Sequence, residues 1–455
     1  MRSNLFIYVL VSLLTLLYFN FIVNLGFYES FSIGLMAFCF FDFLDNIGKK
    51  VVVLDIAIIV AIFTWLVMPV IFYQYYTKED HLARIFYKYM PIPAEEYFSF
   101  VLPGTLAMII GFKLRLSRLA INNDSGAYKA KLEQFFKGKA RIGFILIGIS
   151  LGSSVLYYVI PASFNHIVNL AEHLSYVGVF YIFFSDYKHK NIVLSSVLGL
   201  LAVTAIIQGV FGELVFLLAL FYILIAIYLK KVPFFTKASV CISGIFLIFL
   251  IQNVKKTYRE RAWVTGADPV YFMQLIGQSI EDPSLMFQKK TLFGAAIRMN
   301  QGWLIAITMD RVPRRFAFAN GETIATSIAA AFIPRVIWPD KPEAGGRYNL
   351  KRFWGYELRG YSMNIGPIGE AYANFGKVGG IIFMFFYGLF FNGLLTFLLK
   401  WSEKRPTILC WIPFLFFHAV VVETDILTTV SSIVTSLIFM LLFIRLFKAA
   451  FHIKI

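Results

Sequence analysis

Three carboxylates in the last fifth of the chain stand where proton-transfer chemistry could be done. Glu370 lies in IGPIGEAYANFG (365–376), where the chain returns to apolar sequence, and Glu423 and Asp425 lie in VVETD (421–425), a gap between two apolar runs. A carboxylate at a membrane mouth is costly and tends to be functional. The apolar neighbours Ile365, Pro367 and Ile368 favour Glu370 as the general base. The plainer alternative is an acid at a helix start, stabilised by the helix dipole. His418 reads as a hydrogen-bonding group inside the bundle rather than a base, and Glu172 with His173 are further candidates to line a cavity.

Cations crowd the stretch just before Glu370. FIPRVIWPDKP (332–342) and GRYNLKRFWGYELRGYSMN (346–364) carry Arg335, Lys341, Arg347, Lys351, Arg352 and Arg359. Arginine grips phosphate bidentately and stays charged, so such a set suits a diphosphate at a membrane face. It also suits a solvated surface or anionic headgroups. Tyr348, Phe353, Trp354, Tyr356 and Tyr361 interleave with these cations, and Trp354 and the later Tyr372 are candidates to bind substrate. Aromatic rings at this depth form an interfacial belt, and they can also stack on sugar faces.

The elements that position these residues follow from composition. Of 455 residues, 59% are hydrophobic and 18% aromatic, and the mean hydropathy is +0.73, more apolar surface than a soluble core absorbs. The expected architecture is an all-α polytopic membrane protein. About twelve spans are expected, at 4–24, 27–43, 51–72, 97–112, 142–160, 165–184, 191–207, 212–229, 234–252, 377–399, 407–423 and 427–446. This divides the chain into an N-terminal bundle (1–252), a large loop or cap (253–376) bearing the site, and C-terminal helices (377–455). The N-terminus reads as a retained signal anchor.

Lys113, Arg115, Arg118, Lys129, Lys131, Lys137, Lys139 and Arg141 mark 113–141 as cytoplasmic, which places both termini inside and the large loop outside. Between Lys255 and Arg359 that loop holds sixteen Lys and Arg against nine acids, an excess that a long translocated loop tolerates but that calls for a purpose. Helical periodicity within it is visible at 268–280, 283–309 and 322–337, the middle stretch patterned like a helix lying on the membrane or the bundle.

The net charge of +16 is split across loops, which argues against a nucleic-acid partner. Cys39, Cys241 and Cys410 lie in apolar runs without paired spacing and read as small buried hydrophobes. No metal-ligand spacing, phosphate loop or nucleophile elbow stands out, no repeat is present, and the long loop falls after the ninth span, unlike a carrier built of equal halves.

On FIPRVIWPDKP, IGPIGEAYANFG, VVETD and the single large loop before the last spans, the chain resembles the Wzy-type polymerases that join O-antigen and exopolysaccharide repeat units, relatives of the O-antigen ligases. The resemblance implies a GT-C-like glycosyltransferase of the bacterial inner membrane. Its partners would be polyprenyl-diphosphate-linked glycans, with a chain-length regulator and a flippase nearby, and it would need no cofactor, metal or nucleotide sugar. It also implies that arginines hold the diphosphate. Members often carry an arginine at a Gly-bounded break between two mid-chain spans. Here that break, Gln208-Gly209-Val210-Phe211-Gly212-Glu213, has none, so Arg298, Arg314 or Arg315 would supply the charge.

The expected function is therefore polymerisation of lipid-linked repeat units at the periplasmic face. Its rivals are an O-antigen ligase acting on lipid A core, a lipid-linked glycan flippase or solute carrier, and a non-catalytic lipid-binding subunit, for which Glu370 and Glu423 would tolerate Gln.

Overall fold

In a bilayer the backbone must satisfy its own polar groups, so a chain this apolar has helix as its required local structure. The structure, a computed structural model, describes residues 2–114, 132–156, 159–160, 165–209, 211, 218–219, 222, 226, 232–266, 268–359 and 362–451. Apart from one bridge between Ile47 and Lys50, regular structure among these residues is helical.

The first part comprises α1 (Arg2–Leu17), α2 (Phe27–Asn46), α3 (Val53–Ile62), α4 (Met68–Tyr75), α5 (His81–Ile85) and α6 (Ala94–Lys113). It continues through α7 (Ala140–Leu156), α8 (Asn165–Glu172), α9 (Leu174–Phe184), α10 (Lys190–Gln208) and α11 (Phe234–Thr265). The large loop holds α12 (Pro269–Glu281), α13 (Ser284–Phe287), α14 (Lys289–Met299), α15 (Gly302–Arg311), α16 (Glu322–Phe332) and α17 (Arg347–Trp354). The chain closes with α18 (Gly366–Lys404), α19 (Thr407–Val421) and α20 (Ile426–Phe451).

Among the described residues eight helical stretches are long and apolar enough to cross a membrane, and Ala140–Leu156, Glu322–Phe332 and Thr407–Val421 are shorter apolar helices. The chain is a multi-pass helical membrane protein. Of the expected span at 212–229 only 218–219, 222 and 226 are described, and the cations Arg115, Arg118, Lys129 and Lys131 lie outside the described residues.

Lipid gives helices little reason to associate beyond close packing, so small residues decide where they meet. The principal crossing joins α6 to α18 at Gly111 and Gly388. A Cβ on Gly111 would come within 2.4 Å of the Phe385 carbonyl oxygen, and one on Gly388 within 2.3 Å of that of Met108. Asn392 secures the same crossing by donating to the carbonyls of Gly111 (3.0 Å) and Leu114 (2.7 Å).

Three expectations change. The stretch 283–309 is three helices rather than one, broken at Gln288 and at Asn300, whose side chain turns back to accept the N–H of Trp303. The helix expected at 322–337 ends at Phe332, because Pro334 disfavours helical backbone in the residue before it. The span expected from 377 belongs to a helix that already begins at Gly366, started by Pro367 and bent at Gly376. That early start puts Glu370 on a helix facing the bundle.

Candidate functional site

The three carboxylates fall into two environments. Glu370 is 0% exposed, and its Oε1 accepts the N–H of Ile426, the first residue of α20, at 2.7 Å. Asp425, also 0% exposed, accepts from Thr428 N–H through Oδ1 and from Gly346 N–H through Oδ2, both at 2.8 Å. The opening turn of a helix has N–H groups without partners inside the helix, and its dipole favours negative charge. Both acids meet that need at the start of α20. Burial pushes the Asp425 carboxyl up, against the pull of these hydrogen bonds.

The same knot fixes the basic loop. Gly345 N–H donates to Thr428 Oγ1 at 3.1 Å, and Gly346 has φ +79°, with the carbonyl oxygen of Met363 only 1.9 Å from where a Cβ would stand. Only glycine fits there. Asn349, in the first turn of α17, is enclosed with its side chain beside Glu370.

Glu423 faces elsewhere. It lies in the turn between α19 and α20, after Val422, whose φ of +49° is strained for a β-branched residue. Its side chain is only partly buried. Desolvation pushes the carboxyl up to about 7, opposed by a hydrogen bond from Gln301 and by the charges of Arg298 and Lys255. Arg298 ends α14, Gln301 begins the next turn, and Lys255 is on α11.

α11 explains how the cations gather. Its apolar stretch, Phe234–Lys255, continues as helix to Thr265, so Lys255 and Arg259 project one turn apart beyond it. Arg259 Nε and Nη2 both donate to the carbonyl oxygen of Gly209, at 2.8 and 2.5 Å, closing the end of α10. Burial and the nearby charge of Arg298 lower its proton affinity. Lys255, Arg259 and Arg298 thus form one basic cluster opposite Glu423. Of the Gly-bounded break, Val210, Gly212 and Glu213 lie outside the described residues. At Gly209 itself, α11 brings in an arginine.

The remaining expected residues do not converge. Arg335 donates to the carbonyls of Pro339 (3.2 Å) and Lys341 (3.3 Å) on its own loop. Lys341 Nζ donates to the Ala330 (2.8 Å) and Ile333 (2.9 Å) carbonyls, capping α16. Arg347 pairs with Glu343, Arg352 with Glu322 at 3.7 Å, Arg359 with Glu357 at 3.9 Å and Arg314 with Asp310 at 2.8 Å. Arg315 is exposed. Trp354 is buried, donating to Thr308 Oγ1 at 3.1 Å, and Tyr372 is enclosed between Phe100 and Phe318. Tyr361 lies outside the described residues.

The sequence reading missed Asn349, Gln301, Lys255 and Arg259 as site residues. For the last two the signal was present, a four-residue spacing of cations just past an apolar run. Among the described residues no group of three or more His, Cys, Asp or Glu side chains is placed to hold a metal ion.

Residues 106–403, about two thirds of the chain, match a family described as a domain of unknown function, DUF8712. The chain belongs to that family. The matched region includes the basic cluster and Glu370 and stops short of Glu423 and Asp425. No curated protein and no solved structure matches the chain.

Proposed function

We propose that this protein polymerises polyprenyl-diphosphate-linked oligosaccharide repeat units at the periplasmic face of the bacterial inner membrane. In this reading the chain has about twelve spans, both termini are cytoplasmic, and the product is O-antigen, capsular or exopolysaccharide. The observation that carries it is Glu423, a carboxyl raised to about 7 that faces Gln301, Arg298 and Lys255, with Arg259 next to those two cations.

Glu423 takes the proton from a hydroxyl of the acceptor repeat unit, and that oxygen attacks the anomeric carbon of the growing chain. The bond from that carbon to the diphosphate oxygen breaks, and the basic cluster neutralises the charge the departing diphosphate gains. Glu370 was the base expected first, but its carboxyl is enclosed and committed to Ile426, so the role passes to Glu423. Arg335 and Lys341 are held by backbone carbonyls and Arg347, Arg352 and Arg359 face Glu343, Glu322 and Glu357, so the reading takes Arg298 and its two neighbours on α11 as the clamp.

The test is lengthening of lipid-linked repeats by the purified protein in liposomes without nucleotide sugar. Deletion in the source organism separates the rivals. A strain lacking a polymerase keeps one repeat unit on its acceptor, whereas one lacking a ligase accumulates long lipid-linked chains. Movement of lipid-linked glycan across the liposome without lengthening would point to a flippase.

A further inference from the structure

The large loop doubles back toward the membrane before it reaches the basic cluster. From the turn at Gly266, α12 runs beside α11, with Phe272 packed on Tyr258 (ring centroids 5.1 Å) and on Phe211 (4.9 Å). One turn on, Leu275 and Ile276 pack against the same cluster, which includes Ile251 and Val254 in the apolar stretch of α11. Phe287, at the end of α13, reaches Phe249 (6.2 Å). The contacts thus step down α11 from Tyr258 to Phe249, roughly 14 Å of helix at 1.5 Å per residue.

α14 then climbs back. Lys289 Nζ is 2.5 Å from Asp80 Oδ2, and Phe293 packs on Phe72 and Tyr76 at the end of α4. The bottom of this hairpin is therefore level with the ends of two spans. Its outer side is apolar: Val270, Met273, Ile280 and Phe287 are 67, 59, 57 and 63% exposed. The first three share one helix face. Lys289 and Lys290 are exposed at the same turn.

We propose that this hairpin is a membrane-surface anchor. Ile280 and Phe287 enter the acyl boundary of the leaflet, and Lys290 meets a headgroup phosphate. Two observations favour lipid over a second copy of the chain. The hairpin's inner side packs on residues of a membrane span, and Phe287 meets Phe249 within the apolar stretch of that span. At the turn the exposed Lys290 offers a headgroup phosphate a cation, and Glu281 and Asp282 leave the turn without a net positive charge. The inference is independent of the polymerase reading.

The experiment places single spin labels at Ile280→Cys and Phe287→Cys, with Lys351→Cys as an exposed reference, in a Cys241→Ser background. Cys39 and Cys410 are buried and stay unlabelled. In nanodiscs containing anionic phospholipid, the labels at 280 and 287 should be several-fold more accessible to oxygen than to a water-soluble nickel chelate, and the label at 351 should show the reverse. Equal chelate access at 280, 287 and 351 would overturn the anchor. So would labels shielded from both reagents with dipolar broadening between protomers, which would mean that another copy covers the face. Two positions keep the test valid if either variant fails to fold.

Discussion

Glu423 and Asp425 are two residues apart on one turn, yet they belong to different regions. Asp425 points inward to backbone N–H groups and joins Glu370 in a closed knot at the start of α20. Glu423 points to the side chains of Gln301, Arg298 and Lys255 and remains partly open. The first region spends its charge on the helix terminus and the Gly345–Gly346 turn. In the second, charge meets charge across elements distant in sequence. A carboxylate satisfied by backbone holds structure, and one balanced by movable cations can exchange its partner for substrate.

The sharpest way to break this contrast is to neutralise each acid without changing its shape. Glu423→Gln should lower the polymerisation rate by about 10²–10⁴ with little change in thermal stability. Glu370→Gln keeps an acceptor for Ile426 and should leave the rate near wild type. If the two variants exchange these outcomes in a liposome lengthening assay, the knot is the catalytic region and the assignment is reversed.

Arg298→Ala should lower the rate by about 10²–10³, the loss typical of one preorganised charge-stabilising donor. Arg335→Ala, measured beside it, should cost far less, because that guanidinium is folded onto the Pro339 and Lys341 carbonyls. Equal losses would restore the 333–359 run to the clamp. On the structural side, Gly346→Ala puts a methyl group against the Met363 carbonyl at a positive φ and should destabilise the fold by at least about 3 kcal/mol, read as a lower unfolding temperature in detergent.

Hydropathy alone made the bundle legible, because lipid selects apolar residues segment by segment. The expected spans within the described residues correspond to helices such as Phe27–Asn46 and Ile426–Phe451. The knot was half legible. Glu370 and Asp425 stood out as acids in apolar surroundings, but their common task depends on Gly346 turning its N–H toward Asp425, which no spacing reveals. The cation cluster was the least legible. Abundance drew attention to 335–359, where arginines meet nearby carbonyls and acids, while Lys255, Arg259 and Arg298 meet only because α11 overshoots its apolar stretch and the hairpin folds back on it.

A further effect is expected on stability against pH. The folded Glu423 carboxyl titrates near 7, above the ordinary value of 4.5. Between those limits the unfolded chain releases a proton that the folded protein keeps, so stability falls as pH rises from 4.5 to about 7 and is flat beyond. Activity should move oppositely, rising through pH 7 as the base becomes available. Glu423→Gln should flatten its share of the stability slope and remove the activity step together. A variant that kept the activity step would place the titrating base elsewhere, and Asp425, pushed in the same direction by burial, would be the residue to test next.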